Sequence, residues 1–171
     1  MTPRILKDMN LFVDGRGYAG QATELTLPKL TRKTEEHLAG GMAAPMNIDM
    51  GLEKLEASFT LTGFNEAILR QWGFTGSEGI SVRFKGSISP NDGGSNELPV
   101  SVAMRGSFTE LDWGSWKPAE VATLKVTMSV TYYQYTQNGQ ALFEIDGPNG
   151  IEIVDGVDRL AQRRVNLGTG G

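Results

Sequence analysis

Cysteine is absent from this chain of 171 residues, and histidine occurs once. Without thiols there is neither a disulfide framework nor a thiolate metal site, so stability must come from packing and assembly. The lone His37 stands behind Glu35 and Glu36 but has no second histidine at a ligand spacing, and a solvated or interface strand is the plainer reading. No Gly-x-Ser-x-Gly elbow is present, so nucleophilic catalysis has no visible machinery. No apolar run approaches the roughly 18 residues that mark a membrane span. The N-terminal MTPRILKDMNLF lacks the apolar block and cleavage site of a signal peptide. Synthesis and assembly in the cytoplasm, with no membrane anchor, are the expectation. Basic residues are in deficit, 16 Lys and Arg against 20 Asp and Glu. Tight general binding to nucleic acid is thereby disfavoured, since that affinity comes from cations displacing counterions from phosphates. No enzyme activity, cofactor or metal is expected.

What is present is an ordinary globular composition, 39% hydrophobic and 21% charged. The length suits one domain spanning 1–171, which would bury roughly 70% of its unfolded surface. The dominant periodicity is two. Ile80, Val82 and Phe84 alternate with polar neighbours, as do Leu98, Val100, Val102, Met104 and Phe108, with Gly106 keeping the phase. Leu124, Val126, Met128, Val130 and Tyr132 form a third run against Lys125, Thr127, Ser129 and Thr131. Such alternation marks antiparallel strands with one buried and one polar face. Ser89 to Asn96 and Gln137-Asn138-Gly139 read as turns between strands. Two short helices are expected. Asn65 caps Glu66 to Trp72 with Ile68, Leu69 and Trp72 inward and Gly73 as the stop. Val157 to Leu167 places Val157, Leu160, Ala161 and Val165 near one face before Gly168. The fold class is therefore mainly β, a sandwich or barrel of antiparallel strands with one or two short helices.

Gly15 to Gly20 spells GxGxxG, but a dinucleotide site needs a helix to start there so that its amides hold the pyrophosphate. Gln21 to Pro28 follows, which alternates like a strand, so Asp14-Gly15 reads as a hairpin turn instead. The stretch from 26 to 61 carries more information. Leu25, Leu27 and Leu30 offer an apolar face that Pro28 interrupts, as suits an edge strand. Met46, Ile48, Met50 and Leu52 alternate with polar residues and glycine, and Leu55, Ala57, Phe59 and Leu61 do so again. Between the arms, at about 30–46, lies an excursion containing Ala39-Gly40-Gly41-Met42-Ala43-Ala44-Pro45, apolar and almost without charge. A compact monomer has no use for such a loop, and a partner subunit would. Near the C-terminus Glu144, Asp146, Glu152, Asp155 and Asp158 precede Arg159, Arg163 and Arg164, a run that is most simply a solvated face. Trp113 and Trp116 sit in a turn-rich connection, where core packing and interface anchoring are both open.

Taken in order, MNLFVDGRGYAG, LTLPKLTRKTEEHLAGGM, MNIDMGLEKLEASFTLTG, VTYYQY and IDGPNGIEIVDGVDRLAQRRVNLG resemble the major tail tube proteins of contractile phage tails, the P2-like tube family that includes R-type pyocin tubes. The resemblance spans nearly the whole chain, but over residues 73 to 118 it is one of length and strand pattern only. It implies a small β-sandwich or barrel with a flanking helix, six copies closing into a ring, and rings stacking into a hollow tube that conducts DNA, or ions in a bacteriocin. It also implies a subunit interface through Leu30, Leu38, Gly40, Gly41, Met42, Ala43, Pro45 and Met46. The partners so implied are the sheath, the tape-measure protein, the baseplate and the tail terminator, with DNA passing and not specifically bound. The place of such a protein is the tail tube of the virion. Glu152, Asp155 and Asp158 are the expected acidic, sheath-facing surface. Glu53, Glu56, Thr127, Ser129 and Thr131 are candidates for the channel lining. A type VI secretion tube protein is the near alternative, and a monomeric β-sandwich binding module the distant one.

Overall fold

The computed structural model describes residues 3–17, 21–73, 79–90 and 96–170. Tyr18 to Gly20 of the GxGxxG stretch and Asn91 to Ser95 of the predicted turn lie outside the described residues. In chain order the elements are β1 (Arg4–Val13), β2 (Arg16–Gly17), β3 (Ala22–Thr26), β4 (Arg32–His37), β5 (Met46–Leu52), β6 (Leu55–Thr62), α1 (Glu66–Leu69), β7 (Ile80–Pro90), β8 (Leu98–Asp112), β9 (Thr123–Gln137), β10 (Gln140–Asp146), β11 (Ile151–Val154), β12 (Val157–Asp158) and α2 (Ala161–Leu167). Ten strands form one antiparallel sheet, ordered β12-β11-β10-β9-β8-β7-β1-β2, with β6 also on β9 and β3 on β6. The mainly β reading of the sequence is met. The Asp14-Gly15 and Asn138-Gly139 pairs form two-residue hairpin turns with positive φ at both positions.

The core follows the alternation. Leu11 and Val13 of β1, Val82 and Phe84 of β7, Val102 and Met104 of β8, Leu124, Val126 and Met128 of β9, and Ala57, Phe59 and Leu61 of β6 are all buried in one cluster. The sheet curls so that β3 returns near β1. Phe59 on β6 thus meets Phe84 on β7 and Phe108 on β8 edge-on, with ring centroids 6.0 and 6.1 Å apart. Ile68, fully buried, plugs the interior from α1, whose start is capped by the Asn65 side chain accepting from the Ala67 amide at 2.9 Å.

Strand β9 forks. Its first half, up to Val130, pairs with β6, and its second half, from Tyr132, pairs with β10. Thr131 between them is an extra residue in the β8–β9 ladder, inserted where Arg105 pairs with Tyr132 and Gly106 with Val130. Such a bulge moves the inward phase by one. The buried positions accordingly change from even numbers to Tyr133, and Tyr132, expected inward, faces out under the Arg105 guanidinium at 4.3 Å. At Gly106 the strands approach so closely that a β-carbon would overlap the Ser129 carbonyl oxygen.

Three further expectations are corrected. Trp72 is 52% exposed, because α1 ends at Leu69 and the following turn carries the indole outward. The last helix starts at Ala161, not Val157: Asp155 and Gly156 take positive φ, make a hairpin turn and put Val157 into β12. Strand β3 ends at Thr26, so Pro28, which is buried, follows that edge strand and does not interrupt it.

Gly106→Ala should cost at least about 3 kcal/mol, the upper end for forcing atoms into a filled site. Denaturant unfolding of the monomer checks this, and an unchanged midpoint would contradict the close approach.

Candidate functional site

Strands β4 and β5 form a separate two-stranded ladder that does not join the ten-stranded sheet. The chain leaves β3 beside β6, runs on as this arm, and returns into β6, with the Glu53 amide donating to the Thr31 carbonyl at 2.9 Å across its root. Every residue of β4 is exposed, as is β5 through Met50. His37 pairs with Met46 and Glu35 with Ile48, which places Met46, Ile48 and Met50 on one face; Glu36 pairs with Asn47 and Thr34 with Asp49 on the other. The apolar face is open to water, Met46 and Met50 at 53% and Ile48 at 41%. A two-stranded hairpin in water is marginal by itself.

At the tip, Met42 folds back: its amide donates to the Ala39 carbonyl at 3.2 Å, and its sulfur accepts from the Ala39 amide at 3.3 Å. Leu38, Gly40, Gly41, Ala43, Pro45 and Met46 are exposed around it, and Leu30 stands 40% exposed near the root. The structure therefore gathers the predicted residues from Leu38 to Met46 on one projecting feature and leaves Leu30 at its base. It adds Ile48 and Met50. Their alternation had suggested a half-buried strand, but among the described residues no sheet lies behind that face of β5.

The root of the arm is tied to the body by Leu52, which packs against the core, and by an ion pair. Arg32 donates from Nη1 to Glu152 Oε2 at 3.3 Å and from Nη2 to Glu152 Oε1, and its Nε lies 3.6 Å from Asp49. Glu152, on β11, pairs with the buried Ile145 and is itself only 5% exposed. A carboxylate so placed needs a cation, and Arg32 supplies it. Glu152 is therefore not part of an outward acidic surface. Asp158 is engaged too: Arg164 Nη1 donates to it at 3.1 Å and to the Gly150 carbonyl at 3.0 Å, Nη2 donates to its other oxygen, and the Leu160 amide donates at 3.2 Å. Arg164 and the Leu160 amide hold the Asp158 carboxyl below the usual aspartate range, against a smaller opposing effect of burial. Of the expected trio only Asp155, at the β11–β12 turn, is exposed, and its carboxylate accepts from Gln140 Nε2 at 3.4 Å. Between the arm's root, β11 and α2 lies a cleft of about 660 Å³ bordered by Asp49, Met50, Arg159 and Arg163. Among the described residues, no three His, Asp or Glu side chains gather around a metal position.

The arm thus projects from the antiparallel body with its exposed face uncovered among the described residues. The family model described as phage tail tube protein FII matches residues 3–168. The chain belongs to that family. The tail tube protein of Escherichia phage P2 is 41% identical over 169 residues, covering 97% of this chain and 98% of that one. The major tail tube protein of Serratia phage KSP20 is 37% identical over 172 residues, covering 99% and 98%. Among solved structures, a chain of the sheath–tube complex of an extracellular contractile injection system in its extended state superposes with a TM-score of 0.59 over 78% of this chain and 91% of that one, at 12% identity. A chain from the sheath/tube terminator of that system gives 0.58 over 80% and 98%, also at 12%. At that identity the likeness speaks for the fold. As a phage tail tube protein the chain is structural, and the features that matter in it are surfaces.

Two outcomes test the anchoring of this tail tube protein. Arg32→Ala leaves Glu152 buried without its cation; a loss of about 1–3 kcal/mol, discounted for the half-exposed guanidinium, and faster amide exchange across β4 and β5 are expected. Asp158 has a depressed folded pKa, so its contribution is present above the ordinary aspartate pKa and is lost as pH falls through the lower folded value. In a carboxylate NMR titration its midpoint should lie below the usual aspartate range and move up in Arg164→Gln; equal midpoints in the two proteins would refute the pairing.

Proposed function

We propose that this tail tube protein closes into hexameric rings that stack into the hollow inner tube of a contractile phage tail or a tail-like particle. The observation that carries the reading is the arm from Arg32 to Leu52: a two-stranded hairpin whose Met46, Ile48 and Met50 are exposed, with no covering element among the described residues. Likeness along nearly the full length to two phage tail tube proteins supports it. In the assembled tube the arm reaches another subunit and buries Leu38, Met42, Met46 and Ile48. The edges of β3 and of β12, each bonded on one side within the chain, are available for pairing as the ring closes. Stacking unlike ends is a heterologous contact that does not close, so its product is a filament. The tape-measure protein then sets tube length, the baseplate starts the tube and the terminator ends it. The sheath grips the outside, where Asp155 is the exposed acidic residue of the expected trio that faces it. The place of the protein is the virion tail, after assembly in the host cytoplasm.

The channel is a conduit for DNA, or for ions in a bacteriocin, and it binds neither specifically. Glu56 pairs with Ser129 and Ser58 with Thr127 on the outward face of β6 and β9. This polar strip, in which Lys125 opposite Thr60 is offset by Glu56, is the surface we assign to the lumen, since a run of cations in register with phosphates would add affinity and drag.

A concentration series in negative-stain electron microscopy should show rings and tubes with a central channel. Met42→Asp, or deletion of Gly40 to Ala44, should leave the circular dichroism and Tm close to wild type while raising the concentration needed for tubes more than tenfold. Tubes of the Asp variant at the wild-type concentration would sink the role given to the tip.

A further inference from the structure

The arm and an exposed aromatic pair lie at opposite ends of one strand pair. The arm's root adjoins Leu55, which pairs with Val130. At the other end of β6, Thr62 pairs with Thr123, and beyond it Phe64 meets Trp116 with ring centroids 5.3 Å apart. The two ends are seven residues apart along the ladder, about 23 Å at the usual rise of a strand. Trp116 is 71% exposed, Val121 78% and Phe64 36%. With Pro118 and Ala122 they border a shallow hollow of about 460 Å³. Trp116 contributes an aromatic surface of the kind that dominates interface energetics, and nothing among the described residues covers it.

The geometry points to this hollow as the receptor for the arm of a second copy of the same chain. The inference rests on the stacking reading and goes beyond it by naming the surface that receives the arm. When identical subunits repeat along an axis, each contact joins the leading end of one to the trailing end of the next, so an apolar projection at one end requires an apolar receiver at the other. The two surfaces match in character. The arm offers Leu38, Met46 and Ile48, flexible or branched aliphatic groups that fit against aromatic rings, and the hollow offers Phe64, Trp116 and Val121. Both surfaces are mixed in charge, with Glu35 opposite Ile48 and Lys33 nearby on the arm and Lys117 and Glu120 around the hollow, so no block of like charge opposes contact. Each surface by itself is an exposed apolar feature of the kind that marks an association site.

The cysteine-free chain makes the test direct. Val121→Cys is mixed with each of Leu38→Cys, Met46→Cys and Ile48→Cys in turn, assembled, and oxidised with copper phenanthroline. The expected result is a disulfide dimer in at least one mixture, tenfold or more above the same variants oxidised alone, with Trp116→Ala raising the concentration for tube formation more than tenfold. Tubes that form without any mixed dimer, together with Trp116→Ala assembling like wild type, overturn the receptor and leave stacking intact. Wild-type protein that stays monomeric at every concentration overturns stacking and the receptor together, and leaves the aromatic hollow to a different ligand.

Discussion

The backbone approach between Gly106 on β8 and the Ser129 carbonyl on β9 is the constraint from which the shape of the molecule follows. Two fifteen-residue strands cannot stay flat and enclose a core of this size, and the bend is placed where one strand has an extra residue and the other has no side chain. On one side of the bend β9 serves β6 and β3, which curl back toward β1. On the other it serves β10, β11 and β12, which carry Glu152 toward the arm. A residue with a β-carbon at 106 would press the strands apart at the fork, and both branches would lose their relative setting.

That setting matters because the arm is oriented by a contact between branches. Arg32 leaves the branch of β6 and β3, and Glu152 belongs to the other. A buried carboxylate costs stability unless compensated, so the pair is better understood as fixing direction than as adding strength. The short ladder of β4 and β5 is held by its own hydrogen bonds and by this root. Its apolar face is free to take its geometry from whatever it meets. Tight constraint at the base and little along the shaft is the pattern of a part made to fit against another surface.

Much of this was legible in the residues. The alternation in β6, β7, β8 from Val102 and β9 up to Val130 named the buried side chains, because a half-buried antiparallel strand leaves no other choice of face, while Leu98 and Val100 at the start of β8 are only half-buried. The Asn-Gly and Asp-Gly turns were equally plain. What alternation could not carry was a change of phase: nothing in Val130-Thr131-Tyr132-Tyr133 says that Thr131 is extra, since the cause lies in Gly106 on the neighbouring strand. The Asp155-Gly156 pair did hold the signal for β12, but the helical spacing of Leu160, Ala161 and Val165 extended the predicted helix across it. In the arm, period two showed a strand and could not show whether a sheet lay behind it, so Ile48 and Met50 read as half-buried. The partner of Glu152 was beyond reach, since 120 residues separate it from Arg32.

The placement of arm and aromatic hollow at the two ends of β6 has a mechanical consequence. In a tube joined as proposed, with the arm of one copy in the hollow of the next, a pull between copies would enter one subunit near Leu55 and leave near Thr62, so the force would run along the strand and not across it. The ladder to β9 would then be loaded in shear, its register pairs from Leu55 to Thr62 sharing the tension at once instead of parting one after another. A tube built this way resists axial stretching through the hydrogen bonds of each subunit's own sheet, and its weakest joint under load is the seat between copies.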